Sequence, residues 1–239
     1  MKRRAVTLSL ASAGLLLATS ASADTSFNVS GFGTLGVTHN DNHDADYVAH
    51  RFQLNGPGRS SPTMFGVDTK AGVQASASIG NDLSATVQVV SDHRSDNSYA
   101  PRFEWANFKF QVTKDAYVRV GRVVAPAFMV SDSRNVGYAQ TMVRVPVEVY
   151  GQNPITHLDG LEVGYRMAVG SGALSVQATA GIIKEQVQPT VLAKGHSQLL
   201  NILYEQGAST FRVGYSRFKF TFEGSDIDPK NRSYPIPSA

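Results

Sequence analysis

The sequence predicts an all-β protein, an antiparallel transmembrane β-barrel. Three observations carry that expectation. The chain opens on an export leader and has no later apolar run long enough for a membrane helix. Strict two-residue alternation recurs along it. Its connections alternate between short and long.

The leader comes first. Met1-Lys2-Arg3-Arg4 is positive, and an apolar run containing Leu8, Leu10, Leu15, Leu16 and Leu17 follows. Ala21-Ser22-Ala23 has the small-x-small pattern of a signal-peptidase site, so residues 1–23 read as a cleaved signal peptide and 24–239 as the mature chain. An uncleaved anchor is the alternative, but the run is short for a ~30 Å hydrocarbon core.

Alternation is clearest over 65–79. Val67, Thr69, Ala71, Val73, Ala75, Ala77 and Ile79 share one face, and Asp68, Lys70, Gln74, Ser76 and Ser78 the other. Leu83, Ala85, Val87 and Val89 then oppose Ser84, Thr86 and Gln88. Leu161, Val163 and Tyr165 oppose Glu162, Gly164 and Arg166. Leu174, Val176, Ala178, Ala180 and Ile182 oppose Ser175, Gln177 and Thr179. The apolar faces are small and aliphatic; the polar faces carry Gly, Ser, Thr, Gln and single charges. Lipid suits the first and a crowded, water-filled lumen the second. A soluble sandwich also alternates, so the connections matter.

Nine strands are predicted, at roughly 27–38, 65–79, 83–93, 102–112, 116–124, 160–169, 173–183, 198–205 and 210–220. Short turns fall at 80–82, 113–115, 170–172 and 206–209. Long connections fall at 39–64, 94–101, 125–159 and 184–197. Short turns on one side and long loops on the other are the outer-membrane pattern. Phe27, Phe110, Tyr204 and Phe211 sit near the short-turn ends, and Trp105 and Phe218 nearer the other, as two aromatic girdles would.

Charge and cysteine content exclude several classes. The chain has 22 basic and 19 acidic residues, and losing Lys2, Arg3 and Arg4 leaves 19 of each, so no nucleic-acid partner is implied. With no cysteine there is no disulfide scaffold, thiolate metal site or cysteine nucleophile. Gly31-x-Gly33-x-x-Gly36 fits a dinucleotide pattern, but loop-like His39-Asn40-Asp41 follows where a helix is required. His39, Asp41, His43, Asp44 and Asp46 lack ion-binding spacing and read as a solvated loop. No nucleophile elbow occurs. The expectation is a protein that is not an enzyme and carries neither cofactor nor metal.

Three segments carry a family resemblance: Val29-Ser30-Gly31-Phe32-Gly33-Thr34-Leu35-Gly36, Glu104-Trp105-Ala106-Asn107-Phe108-Lys109-Phe110, and Val118-Arg119-Val120-Gly121-Arg122. Over about 27–222 the chain resembles the Gram-negative outer-membrane porins. The resemblance implies a sixteen-stranded barrel, a homotrimer in outer-membrane lipid, and passage of small hydrophilic solutes or ions. It also implies that the loop after the fifth strand folds inward and narrows the pore. Here that loop is the longest, 125–159.

Candidate pore-lining residues follow. Alternation puts Lys70, Glu162 and Arg166 on the polar face. Arg119 and Arg122 fall on opposite faces unless a bulge turns Arg122 inward; the family's Gly-Arg places Arg122 at the constriction. The loop contributes Asp132, Arg134, Arg144 and Glu148, with Asp159 at its end. Opposed charges across a narrow pore create a transverse field that favours polar solutes, though the same charges can simply pair and hold the loop. A non-conducting barrel for adhesion or anchoring is the first functional alternative, and an outer-membrane hydrolase the second.

The carboxyl end departs from the family, whose last strand ends on an aromatic residue. Here Pro229, Pro235 and Pro237 interrupt the tail. Nine is also an odd number, whereas single-chain bacterial barrels have an even one. The expectation is a porin truncated at its carboxyl end, which does not close alone.

Overall fold

The computed structural model describes residues 25–50, 53, 55–153 and 155–224. The expected leader and the proline-rich tail lie outside the described residues. Eleven strands are present: β1 (Thr25–Thr34), β2 (Thr38–His39), β3 (Thr63–Met64), β4 (Lys70–Ile79), β5 (Leu83–Asp92), β6 (Arg102–Gln111), β7 (Ala116–Val124), β8 (His157–Val169), β9 (Gly172–Gln188), β10 (Val191–Gln206) and β11 (Ser209–Gly224). Nine of them form one antiparallel sheet in the order β1-β4-β5-β6-β7-β8-β9-β10-β11, and β2 and β3 form a separate ladder. Among the described residues β1 pairs only with β4 and β11 only with β10, so the sheet does not close on itself.

The nine predicted strands match the nine of the large sheet, though β1 ends at Thr34 and not near 38, β11 runs on to Gly224 and not near 220, and two further differences are larger. The segment 65–69 is bend and turn, and β4 begins only at Lys70. The predicted loop 184–197 does not exist. β9 and β10 instead run on to a tight connection at Pro189-Thr190. Lys184, Gln186 and Gln188 look like loop, but Ile183, Val187, Val191 and Ala193 keep the alternation going and are buried. Those four side chains supply the packing that extends the hairpin.

The two faces separate as the alternation predicts. Val73, Val87, Leu161, Val163, Ile202 and Val213 are exposed on one face, with Val213 at 73%. Lys70, Gln74, Gln88, Glu162 and Asn201 lie on the other, where Gln88 Nε2 donates to Gln74 Oε1 at 3.0 Å. We call these the outer and inner faces. Phe27, Phe110 and Phe211 are exposed on the outer face near the short turns. Trp105 and Phe218 differ from expectation. Trp105 pairs with Gln88 and Phe218 with Ser197, so both take the inner face, and Phe218 packs on buried apolar residues. Trp105 takes that face by unbroken alternation from Phe110, and a register shift at Gln88/Val89 re-aims only the residues beyond it, Glu104 and Arg102.

Residues 125–156 fold back over the inner face. At one end Asn201 Nδ2 donates to Pro126 O at 2.9 Å and Arg212 Nη1 to Ala127 O at 3.2 Å. Ala125 and Ile155 join an apolar cluster with Val123, Leu158, Ile183, Val187 and Leu199. At the other end Gly137 is so close to β1 that an added Cβ would stand 2.8 Å from Thr34 Oγ1. The segment therefore touches β11 near residue 127 and β1 near residue 137, the two opposite edges of the sheet. Eight gaps of ~4.8 Å would hold those edges about 38 Å apart if the sheet were flat. Residues 127–137 could span at most about 36 Å fully extended. They are not extended, since Ser133 N donates to Val130 O and Val136 N to Ser133 O. The sheet must curve around the segment, with the inner face concave.

Glycines permit the curvature. Gly121, Gly160 and Gly181 pair in one row across β7, β8 and β9 on the inner face. A Cβ on Gly160 would stand 2.1 Å from Ala180 O, which is backbone and cannot rotate away. Gly160→Val is expected to cost about 1–3 kcal/mol through overpacking. Ser175→Val, on the same face but away from this row, should cost less. Urea unfolding of both variants checks this, and equal midpoints would refute the steric account.

Candidate functional site

A cavity of about 210 Å³ lies between the folded-back segment and the inner face, at the long-connection end. Its cations are Lys70, Arg94, Arg102, Arg134 and Arg144, and its carboxylates Asp68, Asp92 and Glu185. Glu104 sits just behind, 2% exposed, against Arg102. His50 and His93 also line the cavity.

The strand ends set this arrangement. Asp92 ends β5 and Arg102 begins β6, so the 93–101 connection brings them side by side. Arg102 grips Asp92 through both Nη atoms, with Nη2 at 3.0 Å from Oδ2. Arg102 Nε lies 3.3 Å from Glu104 Oε2. From the folded-back segment, Arg144 Nη2 reaches Asp68 Oδ2 at 2.7 Å and stacks over the Tyr47 ring. Lys70 and Arg134 make no ion pair among the described residues. The Arg134 Nε is buried without a hydrogen-bond partner. Burial pulls Arg134 below its usual range, opposed first by the nearby Glu104 charge. Burial likewise holds His50 below the usual histidine range. Five cations face three lining carboxylates, or four with Glu104, so the cavity holds a small cationic excess.

A second charged group lies lower on the inner face. Glu162 is 0% exposed. Arg119 Nη1 donates to its Oε1 at 2.5 Å and the Tyr117 hydroxyl at 3.0 Å. Arg166, nearer the short turns, is largely exposed and lies 3.0 Å from Glu205.

No protein-family model matches this chain, and no curated protein matches it.

The structure brings together some of the sequence-predicted residues and separates others. Lys70, Arg134 and Arg144 share the cavity. Arg119, Glu162 and Arg166 lie on the inner face below it. Asp132 and Glu148 are exposed and take no part in the lining. Of the four charged loop residues expected at the constriction, the segment thus presents the two arginines to the cavity and not the two acidic residues. The expected bulge at Arg122 is absent. Pairing runs without shift from β6 through β7 to β8, and it keeps Arg122 on the face of Val120 and Leu161. There Arg122 Nε donates to its cross-strand neighbour Asp159 at 2.7 Å. The carboxylate that matches Arg122 was therefore in the sequence, three residues before Glu162, on the opposite face.

Asp68, Asp92, Arg102, Glu104 and Glu185 were missed. Asp92 had a visible signal, since it falls on an inner-face position at a strand end, but strict alternation from Phe110 puts Arg102 on the outer face and only the register shift turns it inward. Glu104 had none, because the register shift at Gln88/Val89 is not encoded in the alternation. Glu185 was hidden by its assignment to a loop.

Proposed function

We propose that this chain forms a porin-type β-barrel channel in the outer membrane of a Gram-negative bacterium, passing small hydrophilic solutes or ions without catalysis. The observation that carries the reading is one curved sheet with an exposed apolar outer face and a polar inner face crossed by a charged segment. Soluble proteins rarely expose contiguous apolar patches beyond a few hundred Å². Here Val73, Phe108, Val120, Leu161, Ile182 and Val213 continue such a face across the sheet. A sandwich would cover it with a second sheet, and no such sheet occurs among the described residues. Hydrocarbon is the solvent that suits it. In that solvent the free edges of β1 and β11 require pairing partners, because each unpaired backbone group costs several kcal/mol. Homotrimeric assembly follows from the family resemblance alone.

Addition of the folded chain to a planar bilayer, where copies can pair their β1 and β11 edges to complete a barrel, tests the reading. Expected are stepwise conductances and, in a salt gradient, a reversal potential showing a modest anion preference, from the cationic excess at Lys70 and Arg134. Absence of any association with bilayers overturns it. A second reading, a plugged barrel, is favoured by the apolar seat of Ala125 and Ile155 against β9 and β10. Stable membrane insertion with no current would support the plugged form.

A further inference from the structure

The outer face changes character part-way along β9, β10 and β11. Near the short turns it is apolar: Val176 to Ile182 on β9, Leu200 and Ile202 on β10, Val213 and Tyr215 on β11. Beyond Ile182, Leu200 and Tyr215, the same face carries Lys184, Lys194, His196, Arg217 and Lys219. The inner face makes the reverse change, to buried Ile183, Val187, Val191 and Ala193. These three strands span 17, 16 and 16 residues, whereas about 9–11 suffice to cross hydrocarbon. The surplus is the basic part.

The pairing concentrates the charge. Lys184 stands directly opposite Lys194, His196 opposite Lys219, and Gln198 opposite Arg217. Directly opposed side chains lie about 4.5–5.5 Å apart at Cβ, and like charges there repel. On β9, β10 and β11 four permanent cations, Lys184, Lys194, Arg217 and Lys219, are met on this face by one carboxylate, Glu223, 2.5 Å from Lys194 Nζ, while Asp159 on the neighbouring β8 is taken by Arg122. The excess of three charges lies immediately above the apolar belt, at the depth where headgroups would begin.

We propose that this basic band is a docking site for the phosphate groups of lipids in the leaflet at the long-connection end. The inference rests on the membrane reading above. The partner is an acyl-chain lipid bearing phosphate: its tails cover Ile182, Leu200 and Tyr215 while its phosphates sit between Lys184, Lys194, Arg217 and Lys219. The opposed lysines then share an anion instead of repelling one another.

The test titrates the folded full chain in neutral detergent with diphosphoryl lipid A, or with its dephosphorylated form, and follows lipid-bound species by native mass spectrometry. Expected is binding of the phosphorylated lipid at least tenfold tighter. The combined Lys184→Gln, Lys194→Gln, Arg217→Gln, Lys219→Gln variant should lose that difference, by up to about fivefold per cation removed. Lys114→Gln, at the opposite end of the sheet, should retain it. Equal binding of the two lipids by the wild-type chain overturns the proposal, as does an undiminished preference in the fourfold variant. Flotation with phosphatidylcholine vesicles separates the two readings. A chain that does not float fails the membrane reading and this site together; one that floats without phosphate preference fails this site alone.

Discussion

Arg119→Ala is expected to destabilise the fold by about 3–5 kcal/mol, the usual cost of removing one partner from a buried ion pair. Glu162 is 0% exposed, and Arg119 is 27% exposed above it. Without the guanidinium, only the Tyr117 hydroxyl would meet a fully buried carboxylate whose Oε2 already has no partner. Arg166→Ala is the control. Its side chain is 63% exposed and its partner Glu205 40%, so water screens the pair and its loss should cost about 0–1 kcal/mol. Adding Glu162→Gln to Arg119→Ala should recover part of the loss, because the stranded charge is gone. Urea unfolding midpoints measure all three. Equal losses in Arg119→Ala and Arg166→Ala would refute the burial argument.

Removing residues 129–149 and bridging the ends with two glycines is expected to raise single-channel conductance several-fold and weaken anion preference. The ends already meet. The Phe128 and Tyr150 rings are 4.8 Å apart, and Val130 N donates to the Tyr150 hydroxyl at 3.0 Å. The seat of the segment, Ala125 and Ile155 among the buried residues of β9 and β10, is untouched. What leaves is the part reaching Thr34, together with Arg134 and Arg144, two of the five cavity cations. A wider, less cationic passage should conduct more and select less. If the intact chain is plugged, the same deletion should create current where there was none. Unchanged conductance and unchanged reversal potential would show that the segment does not obstruct the path. Lys70→Gln alone should shift the reversal potential in the same direction by less, since the segment's arginines remain.

The readable part of this protein was the part controlled by period two. A strand turns successive side chains to opposite faces, so Val73/Gln74 and Glu162/Val163 declare their faces without any knowledge of neighbours. The short turns declare themselves too, as Gly80 and Gly170 occupy the left-handed region at φ of 60°. Position relative to a neighbouring strand is not local. The register shift beside Glu104 and the unbroken pairing at Arg122 depend on which backbone groups meet across the sheet, and the same letters allow either outcome. The hairpin at Pro189-Thr190 was lost for a related reason. Lys184 and Gln186 sit on the outer face of β9 beyond its apolar part, and a polar stretch between strands reads as loop.

By itself the sequence determined nine amphipathic strands, their faces, the side of the sheet that bears long connections, and the absence of thiol chemistry. Those follow from side-chain polarity and backbone stereochemistry, which act over two to four residues. Only the tertiary structure decided that Arg134 and Arg144 meet Lys70, that Asp132 and Glu148 do not, and that Arg122 turns away to Asp159. It also decided how strongly the sheet curves, since residues 127–137 can touch both edges only if those edges approach each other. Contacts between residues tens of positions apart depend on register, curvature and the packing of one loop, and each of these is fixed by many groups at once.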